Sequence, residues 1–265
     1  LTFLTHVGLC LEMVVEYLIR PQWVVKNPAY ALILGVCFSF IGTSIGLFIF
    51  PEDAAIAGIL FTTIAATPFL GKVLDVTKAK EFWHRNGKMA AIYGLFFLGV
   101  ALCYAIWYLV LPQKAVLFFF DKQISVFTQP LSSIIGFFSQ TQTTLLAIIS
   151  NNMRLALFAL VLSFIYGVGA TILITWNASV LGIFMASLGK FTTVLAFVPH
   201  ASLEFIGFFF AAIAGGLLSI AVDEEKTKYG SAKFYRAIND AAMLFILSIA
   251  IIVAAGFIEV YGFMI

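Results

Sequence analysis

The sequence has 265 residues, of which 62% are apolar, 11% charged and 29 are Phe, with a mean hydropathy of +1.07. A soluble domain carries about 25% charged residues, so a water-soluble globule is excluded. The 15 Lys and Arg against 13 Asp and Glu leave a net charge of only +2, which gives no basis for a nucleic-acid surface. Apolar runs of the roughly 20 residues that a transmembrane helix needs recur along the chain. They predict an all-α, polytopic helical membrane protein of the cell membrane, with about seven transmembrane helices.

In chain order, Glu12, Glu16 and Arg20 recur every fourth residue among Leu, Val and Phe, which predicts an amphipathic helix lying at the cytoplasmic interface. The same stretch lacks the basic start and small-residue cleavage site of a signal peptide. Pro21, Trp23 and Pro28 form an elbow, so residues 1–28 make a first segment. Residues 29–50 are a first span, Pro51-Glu52-Asp53 an acidic turn and residues 54–70 a second span. Lys72, Lys78, Lys80, Arg85 and Lys88 mark a solvated basic loop that completes a two-span unit over 29–88. A five-span core is expected over 89–265. It opens with a third span at 89–111, followed by a mixed stretch at 112–150 placed at the membrane interface.

Residues 153–176 and 178–198 are the fourth and fifth spans, and Pro199-His200 predicts a break, since proline removes a backbone donor and clashes with the preceding turn. A sixth span covers 201–222, a charged cluster 223–236, and a seventh span 237–264. Lys and Arg gather on the cytoplasmic side of membrane proteins. Seven spans with the N-terminus cytoplasmic and the C-terminus outside place 11 of the 15 basic residues inside.

Membrane helices approach closely where small residues stand four apart. Gly207, Ala211, Gly215 and Ser219 form such a ladder in the sixth span, and Gly182 and Ala186 in the fifth, with Lys190 on the same stripe. The two ladders predict a tight antiparallel hairpin bent at Pro199-His200. Gly42 and Gly46 make a GxxxG match in the first span, and the spacing leaves open internal packing or a homodimer. Cys10, Cys37 and Cys103 show no pairing or zinc spacing, so neither a disulfide framework nor a structural metal is expected.

Ionisable residues inside a span cost at least about 2.5–3.5 kcal/mol at the bilayer centre on insertion scales. Glu204 lies one turn after His200, and Asn151, Asn152 and Arg154 are placed at the same outer level. An Arg154–Glu204 pair, completed by His200 and the asparagines, is therefore expected to satisfy groups that are otherwise costly to bury. The network either locks helices together or forms an ion-linked site or partner dock. Asn177 is expected at a turn. No HExxH, GxSxG, phosphate-loop or paired-Asp protease motif is present in the sequence, which predicts a protein without catalytic machinery or cofactor.

The motifs Asn151-Asn152-Met153-Arg154, Gly167-Val168-Gly169, Asn177-Ala178-Ser179-Val180-Leu181-Gly182 and Pro199-His200-Ala201-Ser202-Leu203-Glu204 resemble the stage II sporulation protein M family of integral membrane proteins. The resemblance covers residues 145–265, with Ala178 and Ala201 where that family commonly has glycine. Residues 1–88 are similar to the extra N-terminal part of archaeal-type members. The resemblance implies a membrane scaffold: in sporulating bacteria the family member localises cell-wall hydrolases during engulfment. The expected partners are the lipid bilayer and other membrane or membrane-associated proteins, with a transporter or channel built on broken helices around Pro199 and Glu204 as the alternative.

Overall fold

Inside lipid no water is available to the backbone, so an apolar run satisfies its own N–H and C=O groups by coiling into a helix. The computed structural model describes residues 20–76, 81–128, 142–166, 169–188, 191–223 and 228–261, with 75–76, 127–128, 142–144 and 191–200 as backbone only. The interfacial helix expected over residues 1–19 lies outside the described residues. The elements are α1 (Pro21–Lys26), α2 (Ala29–Ile49), a 3₁₀ turn (Pro51–Asp53), α3 (Ala54–Val76), α4 (Phe82–Val110), α5 (Gln113–Phe119) and α6 (Asp121–Thr128). After these come α7 (Gln142–Tyr166), α8 (Thr171–Ser187), α9 (Phe191–Val222) and α10 (Ala232–Tyr261). Among the described residues, six helices are long and apolar enough to cross a membrane, and α8 is a shorter apolar helix. The chain is an all-α, multi-pass membrane protein.

Several predicted boundaries move. The polar Gln142, Thr143 and Thr144 continue into α7, because a helix satisfies its backbone whatever the side chains. The chain then turns not at Asn177 but at Gly169-Ala170. A Cβ on Gly169 would stand 2.3 Å from the Leu162 carbonyl oxygen, so only glycine lets the chain fold back this tightly, and the Ala170 N–H donates to Ser163 Oγ at 3.2 Å. The break expected at Pro199-His200 is absent, and α9 runs unbroken from Phe191 to Val222. Proline deprives one carbonyl of its donor, a smaller loss than exposing both ends of a broken helix to lipid.

The chain forms two compact units, residues 1–123 with 171–186, and residues 124–170 with 187–265. This grouping differs from the segments expected from sequence, since α4 joins the first two spans instead of the later ones. In the first unit, α2 and α3 form an antiparallel hairpin. Cβ atoms on Gly42 and Gly46 would lie 2.8 Å from the Gly58 carbonyl and 2.5 Å from the Ala54 carbonyl. The GxxxG match is thus used within the chain and lends no support to a homodimer.

Gly35 and Gly99 face one another where α2 and α4 run parallel; added Cβ atoms would stand 2.3 Å from the Phe96 oxygen and 2.1 Å from the Leu32 oxygen. Farther along the same pair, Phe40 stacks on Trp107 at 5.5 Å. Gly182 of α8 presses on the Ala101 carbonyl in the same manner, at 2.1 Å. Of the stretch expected at the interface, α5 and the first residues of α6, to Gln123, instead fold into this unit. Phe120 is fully buried and meets Tyr104 edge-on at 5.9 Å. Buried Gln123 donates through Nε2 to Ser179 Oγ at 3.5 Å. Tyr104 lies six residues before the end of α4, about 9 Å along the helix, so the chain dips into the unit.

The second unit packs α7, α9 and α10 together. Asn152 meets Glu204, while a Cβ on Gly215 would lie 2.1 Å from the Leu160 oxygen and 2.8 Å from Ser163 Cβ. The sequence offset between α7 and α9 stays nearly constant, so the two helices are parallel. The end of α7 and the start of α9 therefore lie at opposite ends of this unit. The 17 residues of α8 make it about 25 Å long.

Candidate functional site

The polar residues of the second unit gather at one level, in the first halves of α7 and α9 and the second half of α10. Glu204 lies within α9, thirteen residues after its first residue. Its Oε1 accepts a hydrogen bond from Asn152 Nδ2 of α7. Glu259, in the last turn of α10, is its electrostatic neighbour. Both carboxyl groups are half-buried and Asn152 is buried. One turn deeper, Ser248 Oγ donates to the Gly207 carbonyl at 2.7 Å and joins α10 to α9. Gly256 of α10 completes the junction, since a Cβ there would lie 2.9 Å from Ile149 Cγ1 of α7.

The local sequence explains the arrangement. Asn152, Ala156, Ala159 and Ser163 are buried and fall on one stripe of α7. Three small residues in line let α9 come close, and the amide above them then faces Glu204. Arg154 follows two residues later, about 200° around the helix, and is exposed. The expected Arg154–Glu204 pair is therefore not formed, and Asn152 takes that role. An amide asks less of a buried position than a guanidinium does.

The remaining expected site residues scatter. Asn151 is exposed on the same side as Arg154. Asn177 lies inside α8, not at a turn, where its Nδ2 donates to the Leu173 carbonyl at 2.8 Å. Lys190 lies outside the described residues, and Pro199 and His200 are described by backbone alone. The two ladders do not pair as a hairpin. Gly182 serves α4, with Ala186 half-buried beyond it. In the other ladder Gly207 faces Ile252 of α10, Gly215 faces α7, Ala211 is fully buried between them and Ser219 is half-buried.

Glu259 and Ser248 escaped the sequence analysis. The signal for Glu259 was present, an acidic residue inside the last apolar run, between Ile258 and Val260. Two carboxyl groups and an amide on three helices can hold the bundle in register. Among the described residues, no group of three His, Cys, Asp or Glu is placed to hold a metal ion.

The family described as Stage II sporulation protein M matches residues 38–262. This chain belongs to the Stage II sporulation protein M family. The match begins in α2 and takes in α3 and α4, so what is shared with the Stage II sporulation protein M family reaches well beyond the motifs of residues 145–265. No curated protein and no solved structure matches the chain.

Proposed function

We propose that this member of the Stage II sporulation protein M family is a non-enzymatic membrane scaffold that holds partner proteins at the bilayer, with its N-terminus cytoplasmic and its C-terminus outside. The observation that carries this is how little of the described chain stands outside the helices. Only the three-residue turn Pro51–Asp53 joins α2 to α3, and α5 with the start of α6 folds back into the first unit. The described residues include no soluble domain, which suits a role in which chemistry at the membrane comes from what the chain binds. The polar groups of Asn152, Glu204 and Ser248 answer other groups of the same unit, which suits a rigid platform. The proposed orientation rests on the basic residues of 72–88 and 226–236 sharing one side.

Purification from native membranes in mild detergent, followed by mass spectrometry, tests the proposal. A stoichiometric membrane or membrane-associated protein is expected to accompany the chain. A solute flux in proteoliposomes that disappears with Glu204→Gln, in a protein that purifies with lipid alone, overturns it in favour of transport.

A further inference from the structure

The inward fold of α5 and the start of α6 buries apolar side chains and unanswered polar groups together. Val116 and Phe120 are buried, and so is Gln123, the last residue of this stretch to belong to the first unit. Gln123 Nε2 reaches Ser179 Oγ at 3.5 Å, longer than a usual N–H···O bond, and its Oε1 has no hydrogen-bond partner among the described residues. The hydroxyl of Tyr104, whose ring Phe120 meets, has none either, and faces Thr43 Oγ1 without the geometry of a hydrogen bond. Buried polar atoms are otherwise nearly always paired, so two unpaired ones where a short segment turns inward call for a physical reason.

Two opposed effects of similar size set the position of this segment. Leaving a buried donor or acceptor unpaired costs about as much as burying one large apolar side chain contributes. Val116 and Phe120 favour the inward position. Gln123 Oε1 and the Tyr104 hydroxyl oppose it, since both regain partners once water reaches them. The connections allow the segment to move as a body. Leu111 and Pro112 are extended, with ψ of 145° and 143°, so α4 stops there, and Pro112 has no N–H with which to tie α5 to it. The seven residues of α5 end at Phe120, where φ is −117° and ψ 24°, so α5 is a short rigid piece between two joints.

We propose that residues 113–123 form a lid, which lifts from the first unit toward the membrane face at which α4 ends and opens the polar groups of Thr43, Tyr104 and Ser179 to water. The inward position is the resting state, and the lid opens while the helices beneath it stay packed. The device is independent of the scaffold proposal, since it needs no protein partner.

Thiol labelling of the full chain in mild detergent, in a background without native cysteines, tests the lid. Val116→Cys reports its opening, and Val100→Cys, fully buried on α4 outside the lid, reports unfolding of the unit. Val116→Cys is expected to react with a water-soluble maleimide at least about tenfold faster than Val100→Cys. Gln123→Met removes the unpaired acceptor and leaves the Ser179 hydroxyl donating to the Trp176 carbonyl at 2.7 Å. It is expected to slow the reaction of Val116→Cys about tenfold, the effect of one unpaired group. Tyr104→Phe, which keeps its ring against Phe120, is expected to do the same. Equal rates at Val116→Cys and Val100→Cys overturn the lid, because the segment then opens only with the whole unit. So does a Val116→Cys rate that Gln123→Met and Tyr104→Phe leave unchanged or raise, since the unpaired groups then do not oppose closure.

Discussion

Replacing Gly99 by alanine tests the packing of the first unit at its tightest point. The new Cβ would stand 2.1 Å from the Leu32 carbonyl oxygen, whereas an ordinary C–H···O contact sits at about 3.3 Å or more. More than 1 Å must therefore be opened between two helix backbones, and a carbonyl held in a helix cannot rotate away as a side-chain tip does. Such overpacking costs about 1–3 kcal/mol, and each lost C–H···O contact about 0.5–1 kcal/mol more. Alanine returns about 1 kcal/mol through its better helix propensity. The net loss is about 1–3 kcal/mol, which at about 2–4 °C per kcal/mol for a chain of this size lowers the apparent Tm by roughly 3–10 °C.

Gly87→Ala, on the same helix, is the control. A Cβ there meets nothing within 4 Å, so only the propensity gain remains, worth up to about 1 kcal/mol. Because propensity enters both variants equally, the difference between them isolates the helix contact. Tryptophan fluorescence and size-exclusion recovery after heating in detergent measure both. If Gly99→Ala unfolds at the wild-type temperature, or no lower than Gly87→Ala, the close crossing of α2 and α4 is refuted.

Three other outcomes follow from the second unit and the path of the chain. Asn152→Leu removes the donor to Glu204 and leaves a carboxyl group facing Glu259, which is expected to cost about 1–3 kcal/mol; Glu204→Gln, whose amide oxygen still accepts from Asn152, unfolds close to wild type, and equal losses in the two variants contradict the hydrogen bond. Ser248→Ala deprives the Gly207 carbonyl of its hydroxyl donor, a loss of about 0.6 kcal/mol for a typical bond between membrane helices, and a chemical-denaturation midpoint that does not move argues against that contact. In a background without native cysteines, Glu81→Cys and Ser231→Cys are expected to label from the same membrane face and Glu52→Cys from the other; labelling of positions 81 and 231 from opposite faces refutes the proposed orientation.

Composition was enough to expose the helical, membrane-spanning character, because 20-residue apolar runs admit few alternatives in lipid. Helix ends were less legible. Hydropathy marks where lipid begins, while a helix continues as long as its backbone bonds are made, and so α4 carries Arg85 and Lys88 and α7 carries Thr143 and Thr144. Proline was over-weighted at position 199, because its cost within one helix was counted and the larger cost of two helix ends in lipid was not. Gly42, Gly46, Gly182, Gly207 and Gly215 were all recognised as contact points, but which helix each would meet depends on tertiary neighbours that spacing alone does not encode. The inward turn at Phe120 and Gln123 was illegible for the same reason, since Tyr104 and Ser179 lie far away in sequence.

The sequence suggests Arg154 as the partner of Glu204, and the structure places Asn152 there instead. Charge complementarity favours Arg154, whereas helix geometry lets only one of positions 152 and 154 face α9. The buried stripe of Ala156, Ala159 and Ser163 decides for Asn152. Once that is settled, Arg154 has to face outward, and the Asn-Asn-x-Arg motif divides between two environments. Asn152 joins α7 to α9 inside the bundle, while Asn151 and Arg154 are exposed. The two demands reinforce each other, because rotating α7 to bring Arg154 inward would also carry Leu157 and Phe158 into a contact with room only for small residues. The same rotation is what an Arg154–Glu204 ion pair would require, so the absence of that pair follows from the packing of α7.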